Sequence, residues 1–361
     1  MTTLGYALRR LGASIVLLLL LTLLTFTLYR AIPADPAGFL VDMQKASPDQ
    51  IAKAEKALGV HTPLYEQYGR YLWRALHGDL GIAYQGTSLT PDGGRVGKAV
   101  APAVVRAAMV TGSLVLGGAL LALLISIPLG AIAASRPRSM TDRTILAVSL
   151  IGICTHPLVV ALLLQQFPGN QWGLAPAHGY CSFFGTAGAP AKLDYLALSQ
   201  DLGCAGPTAW ASHLVLPWIT FALFFLAIYT RLVRVRMIEV MDEPYIRTAA
   251  AKGMSRSRIV RHHALRNAMS PVLTLVGMDI GLALGIALYV ESVYRLPGLG
   301  LTTLSALNGD VGFDLPMILG VVLVIGIVII VANLVIDLVV AWMDPRAAES
   351  GLRRSAVGRV A

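Results

Sequence analysis

Asp242-Glu-Pro-Tyr-Ile-Arg-Thr-Ala-Ala-Ala-Lys-Gly-Met-Ser-Arg-Ser-Arg-Ile-Val-Arg-His-His-Ala-Leu-Arg-Asn-Ala-Met-Ser-Pro271 separates two long apolar runs and carries six Lys/Arg. Its residue types argue against a shapeless linker. Tyr245 to Lys252 is Ala-rich and free of breakers, which predicts a short helix. Gly253 follows as a residue able to take φ > 0, and Ser255 is placed to cap the next turn. A second segment runs from Arg256 to Met269, and Ser270-Pro271 is expected to end it. The stretch 242–271 therefore reads as helix, bend, helix. Small Ala249 to Ala251 lie on one arm and basic residues on the other. Small side chains admit the close approach of another surface, and Arg can pair with its carboxylates or carbonyls. Such a knuckle is built for docking.

The runs on either side fix the class. Of 361 residues, 56% are hydrophobic and only 14% charged, with a mean hydropathy of +0.68. The apolar residues gather into stretches long enough to cross a bilayer, so an all-α integral membrane protein is expected. The net charge of +9 needs no nucleic-acid partner. Membrane proteins concentrate Lys/Arg in cytoplasmic loops.

Upstream, Leu11 to Tyr29 forms a first span behind Arg9-Arg10, too long for a secretory signal and lacking a small-x-small cleavage site. A polar external segment follows over 31–100. It holds one helix opened by Ser47-Pro48-Asp49-Gln50 and closed by Gly59, and a second from Thr62-Pro63 to Gly78. Leu64, Tyr68, Tyr71 and Ala75 give the second helix an apolar, aromatic face, suited to the membrane interface, to other spans, or to an external partner. The remaining core, 101–346, opens with the second span, Ala107 to Ala134, and a basic loop, Ser135 to Arg143. The third span, Thr144 to Leu164, is kinked by His156-Pro157. An external loop, 167–212, precedes the fourth span, Leu214 to Thr230, which feeds through Arg231, Arg234 and Arg236 into an inner loop, 236–270. The fifth span is Pro271 to Tyr294 and the sixth Leu315 to Met343, with a basic tail at 347–361. With both ends inside, 18 of the 29 Lys/Arg fall in inner segments, as the positive-inside rule requires. Six spans result.

Tyr245-x-Arg247-Thr248-Ala249-x-Ala251-Lys252-Gly253, followed by His263-Ala264-Leu265-Arg266-Asn267-Ala268 and Pro271, resembles the cytoplasmic loop of the dipeptide/oligopeptide/nickel permease branch of ABC importers. In the wider superfamily the loop carries Glu-Ala-Ala where Arg247-Thr248-Ala249 stands, and Ile and Pro where His263 and Arg266 stand. Those departures are themselves features of the branch. Gly59, Pro63-Leu64, Gln67-Tyr68, Gly78-Asp79-Leu80-Gly81, Trp172-Gly-Leu-Ala-Pro176, Pro297-Gly298-Leu299-Gly300 and Asp344-Pro345-Arg346 extend the resemblance along nearly the whole chain. It leaves out the Cys181–Cys204 insertion and the far C-terminus. The resemblance implies a type I ABC importer permease fold in a bacterial-type inner membrane. It also implies a second homologous permease subunit, two ABC ATPases holding ATP and magnesium, and an extracytoplasmic solute-binding protein. Tyr245, Arg247, Thr248, Ala249, Ala251, Lys252, Gly253, His263 and Arg266 would couple the chain to those ATPases. Peptides are the commonest cargo of the branch, and nickel is a known variant.

The chain itself shows no chemistry of its own. Gly97-Lys98-Ala99 lacks the first Gly and the closing hydroxyl of a phosphate-binding loop. No Ser/His/Asp arrangement, His-Glu-x-x-His or Cys-x-x-Cys pattern appears, so neither catalytic nor metal-ligating residues are expected. Intramembrane polar groups are costly and often functional. Asn333 and Asp337 share one face of the sixth span and read as structural. His156, Asp279 and Glu291 are candidates for the translocation path. Asp279 admits two roles, meeting a substrate's amino group or pairing with an Arg of a partner permease. Cys154 reads as a small buried residue. Cys181 and Cys204 share an external segment, where a disulfide is expected. A function of a different class, a proton-driven secondary transporter, would use Asp279 and Glu291 as carriers. Such folds show inverted repeats, no repeat joins the two halves here, and the knuckle would lack a purpose.

Overall fold

Residues 3–31, 48–49, 52, 62–84, 88–89, 95–96, 98–184, 201–307 and 314–343 are described by the computed structural model. Helix α1 (Thr3–Ala31) contains the apolar stretch Gly12–Leu28. Helix α2 (Leu64–Leu76) starts after Pro63, as expected, while the helix expected from Ser47 to Gly59 lies mostly outside the described residues. The long α3 (Val100–Ser135) runs through Pro128, and α4 (Met140–Cys154) follows a tight turn. The chain breaks at Thr155-His156 and resumes as α5 (Pro157–Leu164). Helix α6 (Pro207–Met241) extends well past its apolar part and leads into the short α7 (Pro244–Ala251). Helix α8 (Leu265–Met278) is followed at once by α9 (Ile280–Tyr294), then α10 (Leu299–Leu307) and α11 (Leu315–Met343). Two short β-pairs interrupt this helical architecture. Strand β1 (Ser88–Leu89) is antiparallel to β2 (Arg95–Val96), and β3 (Tyr180–Ser182) is parallel to β4 (Asp201–Ala205).

By length and composition α3, α6 and α11 can each cross a membrane, and α8 with α9 form a further crossing bent by 57°. The apolar part of α1 supplies a shorter stretch, and α4 with α5 occupies the place expected for the third span.

Three expectations need correction. Pro271 does not end the knuckle's second arm, because α8 passes through it to Met278. Breaking a helix inside a bilayer would strand more backbone groups than Pro removes, so the helix persists and bends later, at Asp279. Pro297 to Gly300 is more than a turn, because it leads directly into α10. Cys154 is exposed on the surface of the chain rather than buried. In a membrane protein outward-facing positions meet lipid, so a small apolar residue there carries no penalty.

The core is tightest where α3 crosses α6. Phe221, Phe225, Leu114, Leu214 and Tyr294 are almost fully buried there. A side chain in place of Gly117 or Gly118 would collide with Trp218 or Phe221, and one at Gly130 with Val233. Lipid offers no hydrophobic drive for one helix to leave it for another, so such small-residue contacts supply the packing attraction instead. The Trp218 indole adds a hydrogen bond to the Ser113 carbonyl at 3.0 Å.

Candidate functional site

The knuckle is assembled from α7, the turn after it, and the start of α8. Glu243 holds the extended N-cap position of α7, and Pro244 occupies the first helical place, where a missing N–H costs nothing. At the other end Gly253 takes φ +78°. The Gly253 N–H bonds the Ala250 carbonyl at 3.0 Å and the Met254 N–H bonds Ala249 at 3.3 Å. That double closure is a Schellman motif, and it turns the chain back sharply. Ser255 sits at the N-cap of the next turn, Arg256–Arg258, without a side-chain hydrogen bond. A wider helical stretch, Ile259–Ala264, then joins α8.

Burial separates the two faces of α7. Ile246 is buried in a cluster with Val233, Met237, Ile259, Ala264, Ala268 and Val272. Ala249 and Met254 pack against the same cluster. Arg247, Thr248, Ala250, Ala251, Lys252 and Gly253 are exposed, as is Arg266, while His263 is half-buried. Of the small residues read as a docking surface, Ala249 therefore faces inward and Ala250 outward. Tyr245 is held from behind, since its hydroxyl accepts from Asn267 Nδ2 at 2.7 Å. The knuckle thus presents a polar and small-residue face mounted on an apolar root.

Two arginines tie that root to the α3–α4 turn, a connection that no sequence spacing announces. Arg256 donates to the Ser135 carbonyl, the last residue of α3, at 2.6 Å. Arg234, on the extension of α6 past its apolar part, clasps Asp142 with Nε at 2.5 Å and Nη2 at 2.6 Å. Asp142 also accepts from the Arg138 N–H, and its own N–H bonds the N-cap Ser139. Hydrogen bonding to the Arg234 guanidinium holds the Asp142 carboxyl below the usual carboxylate range.

The interior polar residues lie apart from the knuckle. Asp279 stands at the bend between α8 and α9, half-buried, and accepts from the Tyr229 hydroxyl at 3.3 Å. His156 caps α5 through Nδ1 and lies edge-on to Tyr289, with ring centroids 4.9 Å apart. Glu291 is fully buried. Thr111 donates to its Oε1 at 2.6 Å and the Leu301 N–H to its Oε2 at 3.0 Å. Thr111 accepts from the Leu299 N–H in turn. Glu291 and Thr111 together satisfy the free N–H groups that open α10. Any side chain at Gly298 would strike the Glu291 carboxylate, so the chain can pass here only as glycine. Asn333 is half-buried on α11, close to Gly277. The backbone of Asp337 lies one turn further along, and its side chain is outside the described residues. Cys181 and Cys204 are bonded to each other across the β3–β4 pair, with Cα atoms 4.9 Å apart and His213 Nδ1 at 3.3 Å from Cys181 Sγ.

Comparison with known proteins covers most of the chain. The profile of the family described as "Binding-protein-dependent transport system inner membrane component" matches residues 126–349, and the companion N-terminal profile matches residues 3–92. The dipeptide transport system permease protein DppB of Escherichia coli strain K12 is 33% identical over 349 residues, covering 95% of this chain and 98% of that protein. A Brucella abortus protein named as a putative peptide transport system permease is 31% identical over 94% of this chain and 97% of its own length. Among solved structures, a chain of the MetNI methionine ABC transporter in an inward-facing conformation aligns with a TM-score of 0.50 at 17% identity. It covers 67% of this chain and 96% of that one. At that identity the likeness speaks for the fold alone.

Proposed function

Because the chain belongs to the family of binding-protein-dependent transport system inner membrane components, we propose that it is the permease subunit of an ATP-driven importer of dipeptides or oligopeptides. The permease names of the relatives support peptide over nickel as cargo. The knuckle carries the mechanical part of the proposal. Its inner face is rooted in α6 and α8, while its outer face, Arg247, Thr248, Ala250, Ala251 and Lys252, is free to be gripped.

In this proposal a second homologous permease completes the path, and each permease seats its knuckle in one of two ATPases that hold ATP and magnesium. An extracytoplasmic solute-binding protein delivers cargo, and both termini of this chain lie inside. Closure of the ATPase pair pushes α7. Being fixed to α6, to α8 and through Arg256 to α3, α7 passes that displacement to the spans rather than absorbing it. Half-buried Asp279, at the bend, meets the cargo's amino group in this reading, with His156 further along the path. Proton carriage by Glu291 is disfavoured by an enclosed carboxylate already bonded at both oxygens.

Gly253 supplies the test. No atom lies within 4 Å of where its Cβ would be, so a substitution acts on the backbone alone. Forcing an L-residue into φ +78° costs about 1–2 kcal/mol, more for a β-branched one. Gly253→Val should leave insertion intact and uncouple ATP hydrolysis from uptake. Gly253→Asn, which tolerates the left-handed region, should retain coupling. Wild-type transport by the Val variant in reconstituted vesicles would defeat the docking role.

A further inference from the structure

Helix α2 presents three faces in a fixed order around its axis. At about 100° per residue, Leu64, Tyr68, Tyr71, Leu72 and Ala75 form one arc. The Tyr68 hydroxyl lies 2.9 Å from the Leu19 carbonyl and 2.9 Å from Thr22 Oγ1 of α1. The Tyr71 hydroxyl donates to the Leu319 carbonyl of α11 at 3.2 Å. This arc is fastened to the middle of α1 and to the start of α11, where Phe26, Leu315 and Leu319 cluster. The next arc holds Tyr65, Trp73 and Leu76, which are 80%, 67% and 81% exposed. The third holds Glu66, Arg70 and Arg74, whose charges are matched within reach, Arg70 to Glu66 and Arg74 to Asp79. The apolar arc is thus wider than the part fastened to the protein, and Leu64 at the start of the helix is exposed as well.

A helix lying along a bundle at a membrane boundary meets protein, lipid and water in that rotational order. The uncovered apolar arc also continues a surface already suited to lipid. Helix α1, to which Tyr68 is fastened, exposes Leu17, Leu20, Leu24 and Leu28 along its length. Trp and Tyr favour the headgroup level, where one end of the ring is apolar and the other wet. We propose that α2 is an interfacial anchor, with Tyr65, Trp73 and Leu76 entering the boundary between headgroups and acyl chains while Glu66, Arg70 and Arg74 face water. Its partner is the phospholipid surface on the side opposite the knuckle. The anchor would hold α2 against the bilayer and fix α1 and the start of α11 relative to it.

The test uses the full chain in nanodiscs of phosphatidylcholine and phosphatidylglycerol. In a Cys154→Ala background, single nitroxide labels are attached at Trp73→Cys, Leu76→Cys and Arg70→Cys, and collision rates with oxygen and with a water-soluble nickel chelate are compared. The oxygen-to-nickel ratio at 73 and 76 should exceed that at 70 by roughly threefold or more, as for side chains sunk into the acyl boundary. Equal ratios at the three positions would overturn the anchor. So would nickel-accessible labels at 73 and 76 that become shielded only when the solute-binding protein is added, since the arc would then be a protein-docking surface. If Trp73→Cys fails to insert, Leu76→Cys decides the matter alone.

Discussion

Cutting the Asp142–Arg234 clasp should destabilise the protein asymmetrically. The Asp142 side chain is 3% exposed and that of Arg234 is 19% exposed. Removing one member of a buried pair costs about 3–5 kcal/mol, because the other charge is left unpaired. Arg234→Met leaves an almost enclosed carboxylate with the Arg138 N–H as a remaining donor, and should fall near the top of that range. Asp142→Asn leaves a guanidinium that can move its head outward along a flexible stem, and keeps an oxygen for the Arg138 N–H. It should fall near the bottom. The double variant Asp142→Asn/Arg234→Met removes both charges and should recover part of the loss, giving a coupling energy of about 1–3 kcal/mol.

Thermal unfolding of the four proteins in the same nanodiscs measures the cycle. A second readout separates stability from mechanism. The clasp joins the extension of α6, which bears α7, to the first turn of α4. Slack there should lower transport per ATP hydrolysed even at temperatures where each variant is fully folded. The pH profile has a fixed sign. A carboxyl whose folded value is depressed contributes stability above its unfolded value of about 3.9 and loses it only as pH falls through the lower, folded value. Wild-type stability should therefore be flat through neutral pH as far as this pair is concerned. Arg234→Met should begin to change at a higher pH than wild type. Single effects that add to the double within about 0.5 kcal/mol would show the two groups to be uncoupled and refute the reasoning.

Three further outcomes are expected. Glu291→Ala leaves the Leu301 N–H and the Thr111 hydroxyl without their acceptor in a buried site, and should cost about 1–3 kcal/mol in a thermal melt; an unchanged melt would remove Glu291 from its capping role. Cys181→Ser/Cys204→Ser opens a link between residues 23 apart, for which loop entropy predicts a loss of about 3 kcal/mol. Alkylation of either cysteine without reductant would contradict the link. Asp279→Asn should weaken uptake of peptides with a free amino end about tenfold, or ~1.4 kcal/mol, while leaving N-acetylated peptides little affected. Equal loss for both would move Asp279 off the cargo.

The legible parts of this chain were those in which local chemistry decides the outcome. Apolar length marked the spans, and Leu315 to Met343 emerged with the bounds its composition implied. Gly253 marked the turn because few other residues take its φ, and the Schellman closure followed. His156-Pro157 marked the break in the third span because Pro disfavours a helical residue before it. What stayed hidden depends on contacts between distant parts of the chain. Asp142 and Arg234 are 92 residues apart, and Thr111 and Glu291 are 180 apart. Neither pair has a spacing that could reveal it. Ala249 and Ala250 look alike in the sequence, and only the packing of Ile246 shows which of them faces outward.

Pro271 and Asp279 make the same point about the bilayer as a solvent. In water a proline after serine is a reasonable stop, because freed backbone groups find partners at once. Inside a membrane they do not, so α8 absorbs the proline and continues. The bend falls instead at Asp279, the residue that ends α8 and opens α9. Asp279 itself stays bonded to both halves, its N–H to the Leu275 carbonyl at 2.9 Å and its carbonyl to the Ala283 N–H at 2.8 Å. A 57° bend at one turn residue bonded to both half-helices is a place where the angle between them can change. The knuckle roots itself in α8, one half of that bent span, while Glu291 and Thr111 bind the other half to α10 and α3. Displacement entering at α7 therefore arrives at a joint whose far side is held fixed, which is where the Asp279 carboxylate and its Tyr229 partner would feel it most.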